Sequence, residues 1–102
     1  MINVEKTFKK EVIENKGITI VDFWAPWCGP CKMFGPIFEN AQNKYEDIKF
    51  CKLNIDEDSS NVSEDFGVMS IPTIIAFKDG KEVKRNIGFI SENDFDDFLE
   101  NI

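Results

Sequence analysis

The fold is read outward from Ile18-Thr19-Ile20-Val21-Asp22-Phe23-Trp24-Ala25-Pro26-Trp27-Cys28-Gly29-Pro30-Cys31-Lys32. Its first part, Ile18 to Trp24, is too short for a helix and apolar on both alternating faces, interrupted by Asp22. That pattern marks a central strand covered on both sides. After the segment Ala25 to Cys31, the residues Phe34, Ile37, Phe38, Ala41 and Tyr45 recur at helical spacing, which predicts an amphipathic helix running to about Tyr45. Pro36 falls inside it and is expected to kink it. Ile48 to Ile55 reads as the next strand, so strand, helix and strand form a crossover that is expected to be parallel and right-handed.

On the amino-terminal side, Glu5 to Lys16 predicts a helix with Phe8, Val12 and Ile13 on one face, ended by Gly17 in a left-handed conformation. On the other side, Asp58 to Phe66, closed by Gly67, predicts a short helix. Thr73 to Lys78 and Glu82 to Ile87 flank Asp79-Gly80, a strong hairpin signal, so these two strands are expected to be antiparallel neighbours in a mixed sheet. Ser91 with Asp94 three residues on has the form of a capping box, and Phe95, Phe98, Leu99 and Ile102 keep helical spacing. No linker or repeat divides the chain. Residues 1–102 therefore read as one domain, an α/β protein built as a three-layer sandwich.

Composition narrows the function. The 102 residues are 42% hydrophobic and include ten Phe, enough for a core and incompatible with global disorder. Twelve Lys and Arg face nineteen Asp and Glu, and a net charge of −7 disfavours nucleic acid and anionic membrane surfaces as partners. Met1 to Lys10 lacks the apolar run of a secretory signal, and the longest purely apolar tract, Ile74 to Phe77, is too short to span a membrane. Three cysteines, Cys28, Cys31 and Cys51, are too few and odd in number for a disulfide-stapled secreted scaffold, so a cytoplasmic location is expected. There is no histidine, which removes the commonest general base and the commonest metal ligand.

Cys28 and Cys31 lie where a buried strand hands over to a helix, and at that spacing two side chains on a helical turn face the same side. Their sulfurs can then bond with little backbone movement. Gly29 and Pro30 set the turn, since Pro30 lacks an N–H that has no partner in a first helical turn and its fixed φ suits a helix start. Unpaired N–H groups and the positive end of the helix dipole point towards Cys28 and favour a thiolate there. Cys31, one turn inward, is expected to be less exposed and to stay protonated until needed. Cys28 is thus the candidate nucleophile and Cys31 the resolving thiol. Structural zinc needs four Cys or His ligands, which the chain cannot supply, and an iron–sulfur cluster fails likewise. A purely structural disulfide across so short a loop constrains the unfolded chain little. Redox chemistry with no metal and no bound cofactor is the favoured reading, the redox centre being the Cys28–Cys31 disulfide.

Val21-Asp22-Phe23-Trp24-Ala25-Pro26-Trp27-Cys28-Gly29-Pro30-Cys31-Lys32, then Lys52-Leu53-Asn54-Ile55-Asp56, then Ser70-Ile71-Pro72-Thr73, then Phe77-Lys78-Asp79-Gly80 together resemble the successive signatures of the thioredoxin family, over essentially the whole chain. The resemblance implies a thioredoxin fold, with a mixed, mainly five-stranded central sheet flanked by four helices. It implies a protein-disulfide reductase that is itself recharged by a thioredoxin reductase. By that likeness Cys28 forms a mixed disulfide with disulfide-containing target proteins and Cys31 resolves it. Gly29-Pro30 between the cysteines is similar to the reducing members rather than to oxidases and isomerases. A monomer is the expected state.

The same resemblance gives roles to further residues. A carboxylate at Asp22 either faces solvent or, if buried, needs a partner or a raised pKa. The family pattern makes it the proton acceptor for Cys31, with Lys52 nearby. For Ile71-Pro72 a trans bond is the ordinary expectation, and the resemblance reverses it to a cis Pro72 facing the cysteines, with Ile71 offering main-chain contacts to an extended substrate. Trp27, Gly29, Pro30, Ile71, Pro72, Ile87, Gly88 and Phe89 correspond to the family's apolar substrate-binding rim, although Ile87 and Phe89 read equally as core. Phe89 stands where many relatives have Ala. Trp24 reads as packing, with Asp56 as the partner of its indole N–H, and Cys51 as a small buried hydrophobe. An alternative function is a binding subunit of thioredoxin fold that uses its surface while the cysteines stay idle.

Overall fold

The computed structural model describes residues 1–102. Five strands, β1 (Ile2–Asn3), β2 (Ile18–Trp24), β3 (Ile48–Asn54), β4 (Thr73–Lys78) and β5 (Lys81–Ile87), form one sheet in the order β1-β3-β2-β4-β5. The β1–β3 and β2–β3 pairs are parallel, and the β2–β4 and β4–β5 pairs are antiparallel, so the sheet is mixed as expected. Four helical segments flank it, a π-helical turn at Lys9–Ile13, then α1 (Gly29–Lys44), α2 (Val62–Asp65) and α3 (Glu92–Glu100), and a single 3-10 turn at Ile55–Glu57 follows β3.

Central placement explains the composition of β2. Val21 and Phe23 point into one core with Val4, Phe8, Val12, Leu53, Ile75 and Phe77. Ile20 points into the other, which α1 and α3 close with Phe34, Phe38, Phe95, Phe98 and Leu99. Two ring pairs there meet edge to face, Phe34 against Phe95 at 5.1 Å and Phe38 against Phe50 at 5.3 Å, a geometry their quadrupoles favour. By strand alternation Asp22 and Trp24 share Ile20's face, the one that α1 covers.

The chain start departs from the expected helix over Glu5 to Lys16. Val4 still pairs with the sheet, its N–H donating to the Lys52 carbonyl at 2.9 Å. The next residues carry the chain out of the sheet plane, and one wide turn remains before Gly17, with the Glu14 N–H on the Lys9 carbonyl at 2.9 Å. Phe8 and Val12 are buried as predicted, but the wider turn rotates Ile13 outward. The helix expected from Asp58 begins only at Val62, because the Asp58 carboxylate instead accepts the N–H groups of Val62 at 3.0 Å and Ser63 at 2.8 Å and so lies before the first turn.

At the hairpin, Asp79 and Gly80 have φ of 51° and 83°, the pair of left-handed residues that a two-residue turn between twisted strands requires. A Cβ at Gly80 would run into the Ile13 carbonyl, so glycine is needed there twice over. Asp79 also grips the start of β2, its side chain accepting the Gly17 N–H at 2.8 Å and its own N–H donating to the Gly17 carbonyl at 2.9 Å. At the other end of the sheet the pairing brings four segments together. Phe23 opposes Thr73, Thr73 opposes Ile87, and Trp24 lies beside Asn54. The residues just beyond those strand ends therefore surround the turn that carries the cysteines.

Candidate active site

Cys28 is the N-cap of α1, with extended φ and ψ of −91° and 114°, and Pro30 sits in the first turn. Cys28 and Cys31 are joined as a disulfide across a Cα separation of 5.2 Å. Cys28 Sγ accepts the Cys31 N–H at 3.1 Å. The anticipated difference in exposure is not found, since Cys28 and Cys31 are 5% and 4% exposed. Together with Ala25 the two cysteines form a small cluster against which Trp24, Ile55 and Ile71 pack. What separates them is polarity: the N-cap position gives Cys28 a backbone donor and the electropositive helix end.

The Ile71–Pro72 peptide is cis, as the resemblance implied. The Ile71 carbonyl oxygen lies 3.8 Å from Cys28 Sγ. Two bonds hold this loop, from the Thr73 hydroxyl to the Ser70 carbonyl at 2.6 Å and from the Gly88 N–H to the Pro72 carbonyl at 2.8 Å. The second places Gly88 beside Pro72. Ile87 and Phe89 are 63% and 44% exposed, so they are surface residues and not core. Trp27 is 67% exposed, while Gly29 and Pro30 are exposed, Ile71 is half-buried and Pro72 is buried.

One pairing is corrected. Asp56 does not meet Trp24; its two carboxylate oxygens accept the Trp27 Nε1–H at 2.9 and 3.2 Å. The register explains why. Trp24 is level with Asn54 at the ends of parallel strands, so Asp56, past the end of β3, reaches the residue past the end of β2. Trp24 Nε1 is buried with no acceptor of the chain in reach. The Lys52 ammonium stands over the Trp24 ring, 4.4 Å from its centroid.

Asp22 is 1% exposed, which removes the solvent-facing alternative. Burial pushes its carboxyl up to about 7, and the Lys52 charge opposes that rise. Lys52 is its register partner on β3, so the expected proximity is present. Cys51 is fully buried in the other core, and burial pushes its thiol up to about 11. No three His, Cys, Asp or Glu side chains cluster as a metal site, and no helix is long and apolar enough to cross a membrane.

A cysteine pair capping a helix at the end of a central strand, with a carbonyl beside its first sulfur, defines a thiol–disulfide exchange protein. The comparisons agree with that chemistry. A family model described as Thioredoxin matches residues 1–101. The chain is 45% identical over 87 residues to Thioredoxin 1 of Synechococcus elongatus, covering 84% of this chain and 80% of that one. It is 46% identical over 87 residues to the chloroplastic M-type thioredoxin of Chlamydomonas reinhardtii, covering 84% and 61%. Against the thioredoxin of Rickettsia felis the identity is 42% over 96 residues, covering 93% and 90%.

The chain belongs to the thioredoxin family. It is a thiol–disulfide oxidoreductase of the protein-disulfide reductase kind, and its redox centre is its own Cys28–Cys31 pair. Members of the family act on disulfide-bearing targets and are reduced in turn by a reductase.

Proposed function

We propose that the Cys28 thiolate attacks one sulfur of a target cystine, forming a Cys28–target disulfide as the target's own S–S bond breaks and its leaving thiolate takes up a proton. Cys31 then gives its proton to Asp22 and attacks Cys28 Sγ. The second target thiolate departs, and two electrons have passed from the dithiol to the target. Asp22 suits the acceptor's part because a carboxyl near 7 both takes and returns a proton at neutral pH, and Lys52 tunes it. Gly29 and Pro30 fix the turn. Trp27, Ile71, Pro72, Ile87, Gly88 and Phe89 form the face that receives an extended target segment, Ile71 through its main chain.

A thioredoxin reductase regenerates the dithiol, and the protein works as a cytoplasmic, single-domain monomer over residues 1–102. Its net charge of −7 disfavours nucleic acid and anionic membranes as partners. The observation that carries this assignment of roles is the polar setting of one sulfur, Cys28 Sγ, which has the Cys31 N–H at 3.1 Å and the Ile71 carbonyl at 3.8 Å.

Insulin reduction fed by NADPH and thioredoxin reductase tests the reading. Cys28→Ser is expected to abolish turnover, and Cys31→Ser to accumulate one covalently bound target per chain. A target trapped on Cys31 by the Cys28→Ser variant, with none trapped on Cys28 by Cys31→Ser, would reverse the roles. Full physiological function of the Cys28→Ser, Cys31→Ser double variant would favour a binding subunit instead.

A further inference from the structure

Asp22 and Lys52 are opposite charges placed side by side on neighbouring strands, an arrangement that ordinarily closes into a cross-strand ion pair. Here no ion pair forms between them. The ammonium is drawn instead onto the Trp24 ring, at 4.4 Å from the centroid. Trp24 Nε1 has no acceptor of the chain, so the part of the indole that meets a polar neighbour is its face, and among aromatic rings the indole attracts a cation most strongly. Trp24 itself packs against the cluster of Ala25, Cys28 and Cys31.

We propose that Trp24 is a positioning residue: its ring holds the Lys52 ammonium beside the Asp22 carboxylate but off it, so that the carboxylate remains a proton acceptor and not half of a salt bridge. The proposal deepens the reading of Asp22 as the acceptor for Cys31 and rests on it. A cation in direct contact favours the ionised carboxylate and weakens it as a base; a cation held at a short remove tempers the effect of burial without cancelling it. The other elements facing Asp22 add no charge. Ile74 opposes it on β4, α1 covers that face with Phe34 and Phe38, and α3 covers it with Phe95, Phe98 and Leu99. Lys52 is the one charge that acts on Asp22.

The test is to titrate the Asp22 carboxyl carbon by NMR in the oxidised protein, a readout that needs no turnover. Trp24→Leu is expected to lower the Asp22 midpoint by about one unit, the size of shift a cation brought into contact produces. Trp24→Phe, which keeps a ring under the ammonium, is expected to stay near the parent. In the Trp24→Leu, Lys52→Met double variant the fall disappears, because no cation remains to close on the carboxylate. An unchanged or raised midpoint in Trp24→Leu, or a fall that survives Lys52→Met, overturns the proposal. If Trp24→Leu does not fold, the parent still decides: the Lys52 ε-methylene protons are expected upfield, shifted by the indole ring current, and ordinary shifts there overturn it equally. Unchanged release of target by Asp22→Asn would instead remove Asp22 from the mechanism while leaving the titration result standing.

Discussion

Two lysines three residues apart on β3 meet carboxylates in opposite ways. Lys49 closes on Glu11, with Nζ at 2.8 Å from Oε1 and 2.9 Å from the Glu11 main-chain carbonyl, and the contact holds the Glu11 carboxyl below its usual range. Lys52 faces Asp22 in register, leaves it unpaired and rests on Trp24, while burial pushes Asp22 up to about 7. Each lysine has a carboxylate within reach, Lys49 from the amino-terminal turn and Lys52 from the neighbouring strand. A third group decides the outcome, and only one of the two carboxylates is left able to exchange a proton near neutrality. The first contact ties the amino-terminal turn to the sheet; the second leaves a stability cost next to the redox centre.

The largest break in that contrast comes from Asp22→Asn. Single-turnover release of a bound target at neutral pH is expected to slow by about 100-fold, the lower range for loss of a positioned base. In the parent the release rate rises with pH through about 7, as the folded-state value requires; in the variant that step is absent. The same substitution acts on stability. Below pH 3.8 the carboxyl is protonated in folded and unfolded chains alike, and between 3.8 and about 7 the unfolded chain ionises while the folded one keeps its proton. The parent's stability therefore falls across that window and levels above it, by about 4 kcal/mol in all for a shift of this size. Urea unfolding of both proteins from pH 3 to 8 is expected to show the variant gaining on the parent as pH rises. A gap that shrinks with pH would mean that Asp22 is stabilised as a carboxylate after all.

The two indoles repeat the contrast on a smaller scale. Trp24 presents its face to a cation and leaves Nε1 without an acceptor, whereas Trp27 donates Nε1–H to Asp56 and lies open to solvent. Asp56→Ala releases the exposed ring of the target-binding face. The expected result is a rise in KM for a protein disulfide of about threefold with kcat unchanged, the scale of an exposed charge-assisted contact. A fall in kcat at constant KM would place Asp56 in the chemistry instead.

Much of this was legible in the residues, and the misses share a cause. β2 and α1 declare themselves because their apolar periods are long enough to register, and the Asp79-Gly80 turn because its geometry admits few other residues. A single carboxylate in the apolar run of β2 was conspicuous for the same reason. β1, with two residues, has no period to read, and the wide turn at Lys9–Ile13 follows from how far Val4 stays paired with the sheet. The partner of Asp56 depended on which residues lie past the ends of two parallel strands. Composition could not show that Cys28 and Cys31 are equally covered, since cover at a helix start comes from neighbouring segments, here Trp24, Ile55 and Ile71.

The smallest effect sharpens the comparison most, because its pH dependence has the opposite sign. Glu11 is a carboxyl whose folded-state affinity for protons is lowered, first by its hydrogen bond from Lys49. Such a group stabilises the fold at pH values above its unfolded value near 4.5, and the contribution is lost as pH falls through the lower folded value. Glu11→Gln is therefore expected to be slightly less stable than the parent at pH 7 and equal to it at pH 3, while Asp22→Asn equals the parent at pH 3 and exceeds it at pH 7. The loss stays small because Lys49 keeps its bond to the Glu11 main-chain carbonyl, which the substitution does not touch, and added salt shrinks it further. The same urea series measures both. If Glu11→Gln remains weaker than the parent at pH 3, packing and not charge sets its effect, and the two lysines of β3 no longer form a matched pair.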